Sequence, residues 1–154
     1  MNKKILFVSG SLGLGHVTRD IAIANEIRAL RDDVDIHWLA AHPASLFLKE
    51  NGEMLLPEAS DYLDENLIAE STSRGSRLNL FNYSRVFRRQ WQHNIDLISR
   101  VTNCEKFDLL IGDETYDLVT AFKERPDLNK SPCVMIYDFV GFDAMTHNPW
   151  EHLG

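Results

Sequence analysis

Ile5-Leu6-Phe7-Val8-Ser9-Gly10-Ser11-Leu12-Gly13-Leu14-Gly15-His16-Val17-Thr18-Arg19 is the stretch on which the fold turns. Ile5 to Ser9 is a short, unbroken apolar run, as expected of a strand buried on both faces of a parallel sheet. Gly10, Gly13 and Gly15 then make a tight loop. From His16 the pattern becomes helical: Val17, Ile21 and Ala24 fall on one stripe, with Ile23, Ile27 and Leu30 beside it. A buried strand, a Gly-rich turn and an amphipathic helix make the opening of a βαβ unit.

The rest of the chain repeats that alternation. Val34 to Ala40 is predicted as a second strand. Pro43 suits the first turn of a helix running to Lys49 and stopped at Asn51-Gly52. Met54-Leu55-Leu56 reads as a short third strand closed by Pro57, and the polar stretch from Glu58 to Asn79 as a loop. A long helix follows from Leu80 to Val101, with Leu80, Tyr83, Phe87, Trp91, Ile98 and Val101 at helical spacing. Phe107–Ile111 and Val134–Tyr137 are the fourth and fifth strands, with a helix from Tyr116 to Lys123 between them, and Thr146 to Gly154 reads as loop. The predicted fold is α/β: a Rossmann-like parallel sheet with helices on both faces, Ile5–Ser9 central, Val34–Ala40 on one side and Phe107–Ile111 on the other.

Composition narrows the function classes. The 154 residues are enough for one domain, and 44% hydrophobic with 25% charged residues is the balance of a globular chain. The net charge of -7 argues against nucleic acid as a partner, which normally meets a basic face. Cys104 and Cys133 lack metal-type spacing and are expected to be buried thiols. The histidines likewise show no ligand spacing, so no metal is expected. The apolar run after Lys3-Lys4 is too short for a signal peptide, and no stretch approaches a membrane span, so the expected location is cytoplasmic.

The glycine loop excludes several chemistries. Gly10 and Gly15 have P-loop spacing, but His16 and Val17 replace the Lys and Ser/Thr that would grasp phosphate and magnesium. A dinucleotide fingerprint is broken at Thr18, and the second strand ends in Ala40-Ala41-His42 without the acid that would hold a ribose. The loop and the helix amino terminus favour an anion or a sugar.

What remains, Gly-Ser-Leu-Gly-Leu-Gly-His-Val-Thr-Arg before an amphipathic helix, resembles the first loop of GT-B fold glycosyltransferases. The likeness is to the group holding the bacterial peptidoglycan N-acetylglucosaminyltransferase and the diacylglycerol glycosyltransferases. Phe107-Asp108-Leu109-Leu110-Ile111-Gly112-Asp113 looks like that group's strand-plus-acid near the interdomain cleft. Leu12 and Leu14 stand where the peptidoglycan enzyme has smaller residues. The resemblance implies that residues 1–154 are the N-terminal acceptor domain of one half of a GT-B architecture, with the donor domain outside this chain. It implies transfer of a sugar from a nucleotide-sugar donor to an acceptor hydroxyl on a lipid or small molecule, with no cofactor and no metal. The alternatives are a nucleotide-sugar epimerase of the same fold and a non-catalytic sugar- or phosphate-binding module.

The candidate catalytic residues are His16 and Asp113. At a helix amino terminus, His16 can take a proton from a hydroxyl, hold a phosphate, or only cap the helix. Asp113 and Glu114 stand at the carboxyl end of a parallel strand, where ligand crevices form, and either orient His16, bind sugar hydroxyls, or cap the next helix. Asp138 holds a similar place after the fifth strand. Gly13, Gly15, Thr18, Arg19 and Glu114 are candidate acceptor- or phosphate-binding residues. Arg74, Arg77, Arg85, Arg88 and Arg89, interleaved with Phe81, Tyr83, Phe87 and Trp91, form a basic amphipathic segment. It reads as either a core-packed helix with a solvated face or a peripheral contact with the cytoplasmic face of a membrane.

Overall fold

A computed structural model describes residues 2–10, 14–63, 73–74, 77–78, 80–126 and 131–138 (for 73–90 the backbone only). Strand β1 (Lys3–Ser9) leads into helix α1 (Leu14–Leu30), then strand β2 (Val34–Leu39) and helix α2 (Ala44–Glu50). Two-residue strands β3 (Ser73–Arg74) and β4 (Arg77–Leu78) pair antiparallel in a separate hairpin. Helix α3 (Leu80–Cys104), strand β5 (Leu109–Asp113), helix α4 (Tyr116–Glu124) and strand β6 (Cys133–Ile136) complete the described chain.

The main sheet is parallel in the order β2-β1-β5-β6, which puts β1 in the interior between β2 and β5 as the sequence predicts. The apolar run of β1 is buried on both faces because its alternate side chains feed two cores. Ile5 and Phe7 pack with Val17 and Ala24 of α1, and Phe7 stacks on Trp38 with ring centroids 4.5 Å apart. Leu6 and Val8 pack with Ile95, Ile98 and Val101 of α3 and Leu118 of α4. Helices therefore cover both faces, and every layer connects through β1.

Several boundaries differ from the sequence reading. The expected third strand reduces to one parallel bridge, Leu55 to Trp38; the Trp38 backbone uses both its groups there, and Pro57 has no N–H to extend a ladder. Strand β5 runs two residues later than Phe107–Ile111: Phe107 is a buried core residue ahead of the strand, while Gly112 and Asp113 pair with Val8 and Ser9. Leu30 does not belong to the packed stripe; at the carboxyl end of α1 it is 82% exposed. Cys104 and Cys133 are both exposed free thiols rather than buried ones, since Cys104 ends α3 and Cys133 lies on the outer strand β6. The polar stretch after Leu56 opens with a 3-10 turn at Pro57–Ser60 and includes the β3–β4 hairpin. No helix among the described residues is long and apolar enough to cross a membrane.

Candidate functional site

Register builds the site. Ser9 pairs with Asp113 at the carboxyl edge of β1 and β5. Paired residues on adjacent strands project from the same face, and the alternation with Phe7 and Ile111 makes that the face under α1. Gly10 follows at the point of closest approach: a Cβ there would stand 2.8 Å from the Asp113 carbonyl oxygen, so only glycine lets the two loops meet. Helix α1 begins four residues on, and its first turns bring His16, Arg19 and Asp20 over this edge.

Asp113 is the hub. Its carboxylate is fully buried and accepts from Arg19 Nη2 at both oxygens, 2.6 and 2.7 Å. His16 Nδ1 lies 3.2 Å from Asp113 Oδ2 and 3.1 Å from Arg19 Nη2. A guanidinium only donates, so Nδ1 either carries a proton for Asp113 or accepts one from Arg19. Arg19 Nη2 directs its hydrogens to the two Asp113 oxygens, which leaves Nδ1–H to donate to Oδ2 and Nε2 as the free base. Arg19 also pairs with Asp138 through Nη1. Hydrogen bonds donated to Asp113 first and Asp138 second hold its guanidinium more firmly protonated than usual.

Glu114 adopts φ +49°, in the left-handed region where side chains other than glycine are strained. That conformation places its Oε2 3.7 Å from His16 Nε2. Its Oε1 accepts from the Asp138 N–H, and its own N–H donates to the Ile136 carbonyl, which ties the β6 end to the β5 end. The side chains gathered around His16 are thus mainly acidic, with one arginine among Asp113, Glu114 and Asp138. This surrounding suits a neutral hydroxyl better than a phosphate. His16, Glu114 and Asp138 bring potential metal-ligand atoms within 4.8 Å of one another. Asp138 is already engaged by Arg19, and His16 Nδ1 by Asp113, so the set fits a polar ligand better than a cation.

The other predicted residues fall elsewhere. Thr18 is exposed, and its hydroxyl donates back to the Leu14 carbonyl at 2.8 Å, within its own helix. Gly15 lies in the first turn of α1 with open space where a Cβ would be. Gly13 lies outside the described residues, as do the side chains of Arg74, Arg77, Arg85, Arg88 and Arg89. Asp20 and Ser9 escaped the sequence reading. Ser9 Oγ donates to Asp20 Oδ2 at 2.5 Å, and Asp20 is completely buried. The signal was there: Val17, Asp20 and Ala24 share one helix stripe, and a carboxyl group in a core-facing row marks a site.

No family model and no curated protein matches this sequence. Solved structures do. The glycosyltransferase SnogD from Streptomyces nogalater is similar at 18% identity and a TM-score of 0.60, over 88% of this chain and 35% of that one. MurG of Acinetobacter baumannii is similar at 16% identity and a TM-score of 0.56, over 92% and 37%. The glycotransferase of kitacinnamycin gives 13% and 0.55, over 89% and 31%. The chain spans about a third of the length of these structures. The fold is therefore the Rossmann-like unit of GT-B glycosyltransferases.

Proposed function

We propose that this chain is the acceptor-binding half of a glycosyltransferase, in which His16 is the general base toward an acceptor hydroxyl. The observation that carries this reading is the alignment of His16 Nδ1 on the buried Asp113 carboxylate at 3.2 Å. A carboxylate in that position fixes the Nδ1–H tautomer and stabilises the imidazolium that forms, the division of labour seen in base–orienter pairs generally. The acceptor oxygen attacks the sugar carbon as its proton passes to Nε2, and the nucleoside diphosphate leaves. The similarity of fold to glycosyltransferases supports the reaction class.

Arg19 holds Asp113 in register through both carboxylate oxygens. Glu114 Oε2, beside Nε2, is placed to receive a second hydroxyl of a polyhydroxylated acceptor. The nucleotide-sugar donor is assigned to a second domain, and the reaction as written uses neither cofactor nor metal. The acidic surroundings of His16 weigh against a phosphate held directly by the imidazole, and so against the alternative of a phosphate-binding module.

The experiment is a donor–acceptor matrix with the full-length protein: a panel of nucleotide sugars against hydroxyl acceptors of lipid and small-molecule type, followed by nucleoside diphosphate release and product mass. The expected result is release that depends on acceptor and yields a glycoside. Conversion of the donor to an isomeric sugar without any acceptor would make the protein an epimerase instead.

A further inference from the structure

Beneath the His16–Asp113–Arg19 group lies a second carboxyl that the proposed reaction leaves unused. Asp20 is wholly buried between α1 and the carboxyl edge of β1 and β5. Its Oδ2 accepts from Ser9 Oγ at 2.5 Å. Its Oδ1 is buried and has no donor among the described residues. The Asp113 carboxyl, on the residue paired in register with Ser9, interacts with the Asp20 carboxyl. Two facing carboxylates cannot form a hydrogen bond, and an orphaned buried anionic oxygen is costly. One proton placed between the two groups removes both difficulties.

The proton belongs to Asp20. Both Asp113 oxygens already accept from Arg19, and His16 adds a third contact, so Asp113 is the group stabilised as the anion. The groups facing Asp20 are Ser9 on β1, Asp113 on β5 and, from its own helix, Arg19. With the proton on the Asp113-directed oxygen, Oδ2 stays free to accept from the Ser9 hydroxyl. We propose that Asp20 is a positioning residue held as a neutral carboxylic acid, its Oδ1 hydroxyl donating to Asp113 from beneath while Oδ2 accepts from Ser9, so that Asp113 is braced toward His16. Burial, opposed by the Ser9 bond and reinforced by Asp113, pushes the Asp20 carboxyl up to about 8, consistent with that state at neutral pH.

The arrangement gives the oxygens of both buried carboxyls a partner: Ser9 to Asp20, Asp20 to Asp113, Arg19 and His16 to Asp113. It also explains why an acid stands in the apolar stripe of α1. A buried acid there fixes the orientation of Asp113 without adding a fourth negative charge to Asp113, Glu114 and Asp138. The inference rests on packing alone and stands whether or not the group transfers a sugar.

The test uses the 154-residue chain labelled with ¹³C at aspartate carboxyls and followed by NMR from acid to alkaline pH. Burial raises the Asp117 carboxyl as well, so the resonance is assigned by substitution: the aspartate carboxyl signal lost in Asp20→Asn, and kept in Asp117→Asn, is expected to be protonated at neutral pH and to titrate near pH 8. The amide reproduces the neutral acid, donating to Asp113 and accepting from Ser9, so Asp20→Asn is expected to fold. Its imidazole ¹⁵N signals are expected to keep the Nδ1–H tautomer of His16, whereas Asp20→Ala, which leaves Asp113 unbraced, is expected to mix the two tautomers. The proposal is overturned if every aspartate is ionised at neutral pH, if the resonance lost in Asp20→Asn is that of an ionised carboxylate, if Asp20→Asn fails to fold, or if Asp20→Ala leaves the tautomer unchanged.

Discussion

Replacing Asp113 by Asn changes one atom at the hub and separates its two roles. The native carboxylate gives Arg19 two acceptors, at 2.6 and 2.7 Å, and takes the Nδ1 proton of His16 at 3.2 Å. An amide offers one oxygen, which Arg19 claims, and turns its NH₂ toward the imidazole. Nδ1 must then accept, Nε2 takes the proton, and the base is lost. General base help is typically worth about 10²–10⁴-fold, so turnover should fall by that much. Breaking a fully buried ion pair costs about 3–5 kcal/mol. The Arg19 side chain is 35% exposed and keeps Asp138, which brings the loss down to about 2 kcal/mol. For a chain of this size that is a fall of about 4–8 °C in melting temperature. The assay pairs thermal unfolding with acceptor-dependent nucleotide release at a temperature where both proteins are folded, and with ¹⁵N NMR of the imidazole. Turnover within a few-fold of the parent, or an unchanged Nδ1–H tautomer, would refute the role given to Asp113.

Three further outcomes follow from the packing. Asp20 binds its proton up to about pH 8 in the folded state, against 3.8 as its ordinary value. Between those limits the unfolded chain holds fewer protons, so the stability of the native protein relative to Asp20→Asn should decline as pH rises, by up to about 1.4 kcal/mol per unit, and level off above pH 8; urea titrations across pH that show no slope would contradict it. Glu53 is a second polar pin of the core under α1: burial would raise its carboxyl, but Arg28 at 2.6 and 2.8 Å and Trp38 Nε1 at 2.6 Å outweigh that and lower it. Glu53→Ala orphans the indole N–H of the fully buried Trp38 and should cost about 2–3 kcal/mol by urea titration at neutral pH. A Cβ at Gly112 would stand 2.5 Å from Thr115 Oγ1, 2.7 Å from Met135 Sδ and 2.9 Å from Leu118 Cδ2, so Gly112→Ala should destabilise by about 1–3 kcal/mol; an unchanged melting temperature would show that α4 can shift off β5.

Element order was legible in the sequence because burial in a doubly covered parallel sheet leaves continuous apolar runs, as in Ile5–Val8 and Leu109–Ile111. His16, Asp113 and Glu114 were legible as linked candidates, and Arg19 and Asp138 singly, because loops at the carboxyl ends of parallel strands converge; the structure places all five side by side. Two things were hidden by long-range register. Nothing local tells Gly112-Asp113 to pair with Val8-Ser9, so β5 was placed two residues early. Asp20 stands out as an acid in the core-facing row of Val17 and Ala24, but its partners, Ser9 and Asp113, are set only when β5 lies beside β1 under α1. Thr18 shows the converse: a hydroxyl in the right turn that bonds its own helix instead of the site.

The central claim is that His16 does chemistry. The direct measurement is single-turnover sugar transfer by His16→Ala in the full-length protein, with its melting temperature recorded alongside. His16 sits in the first turn of α1 and is mostly covered, so its loss as a structural group should cost about 1 kcal/mol, while its loss as a base should slow transfer by about 10²–10⁴-fold. The expected result is the large rate loss with the fold intact. Near-normal transfer from a protein with a lowered melting temperature would contradict it.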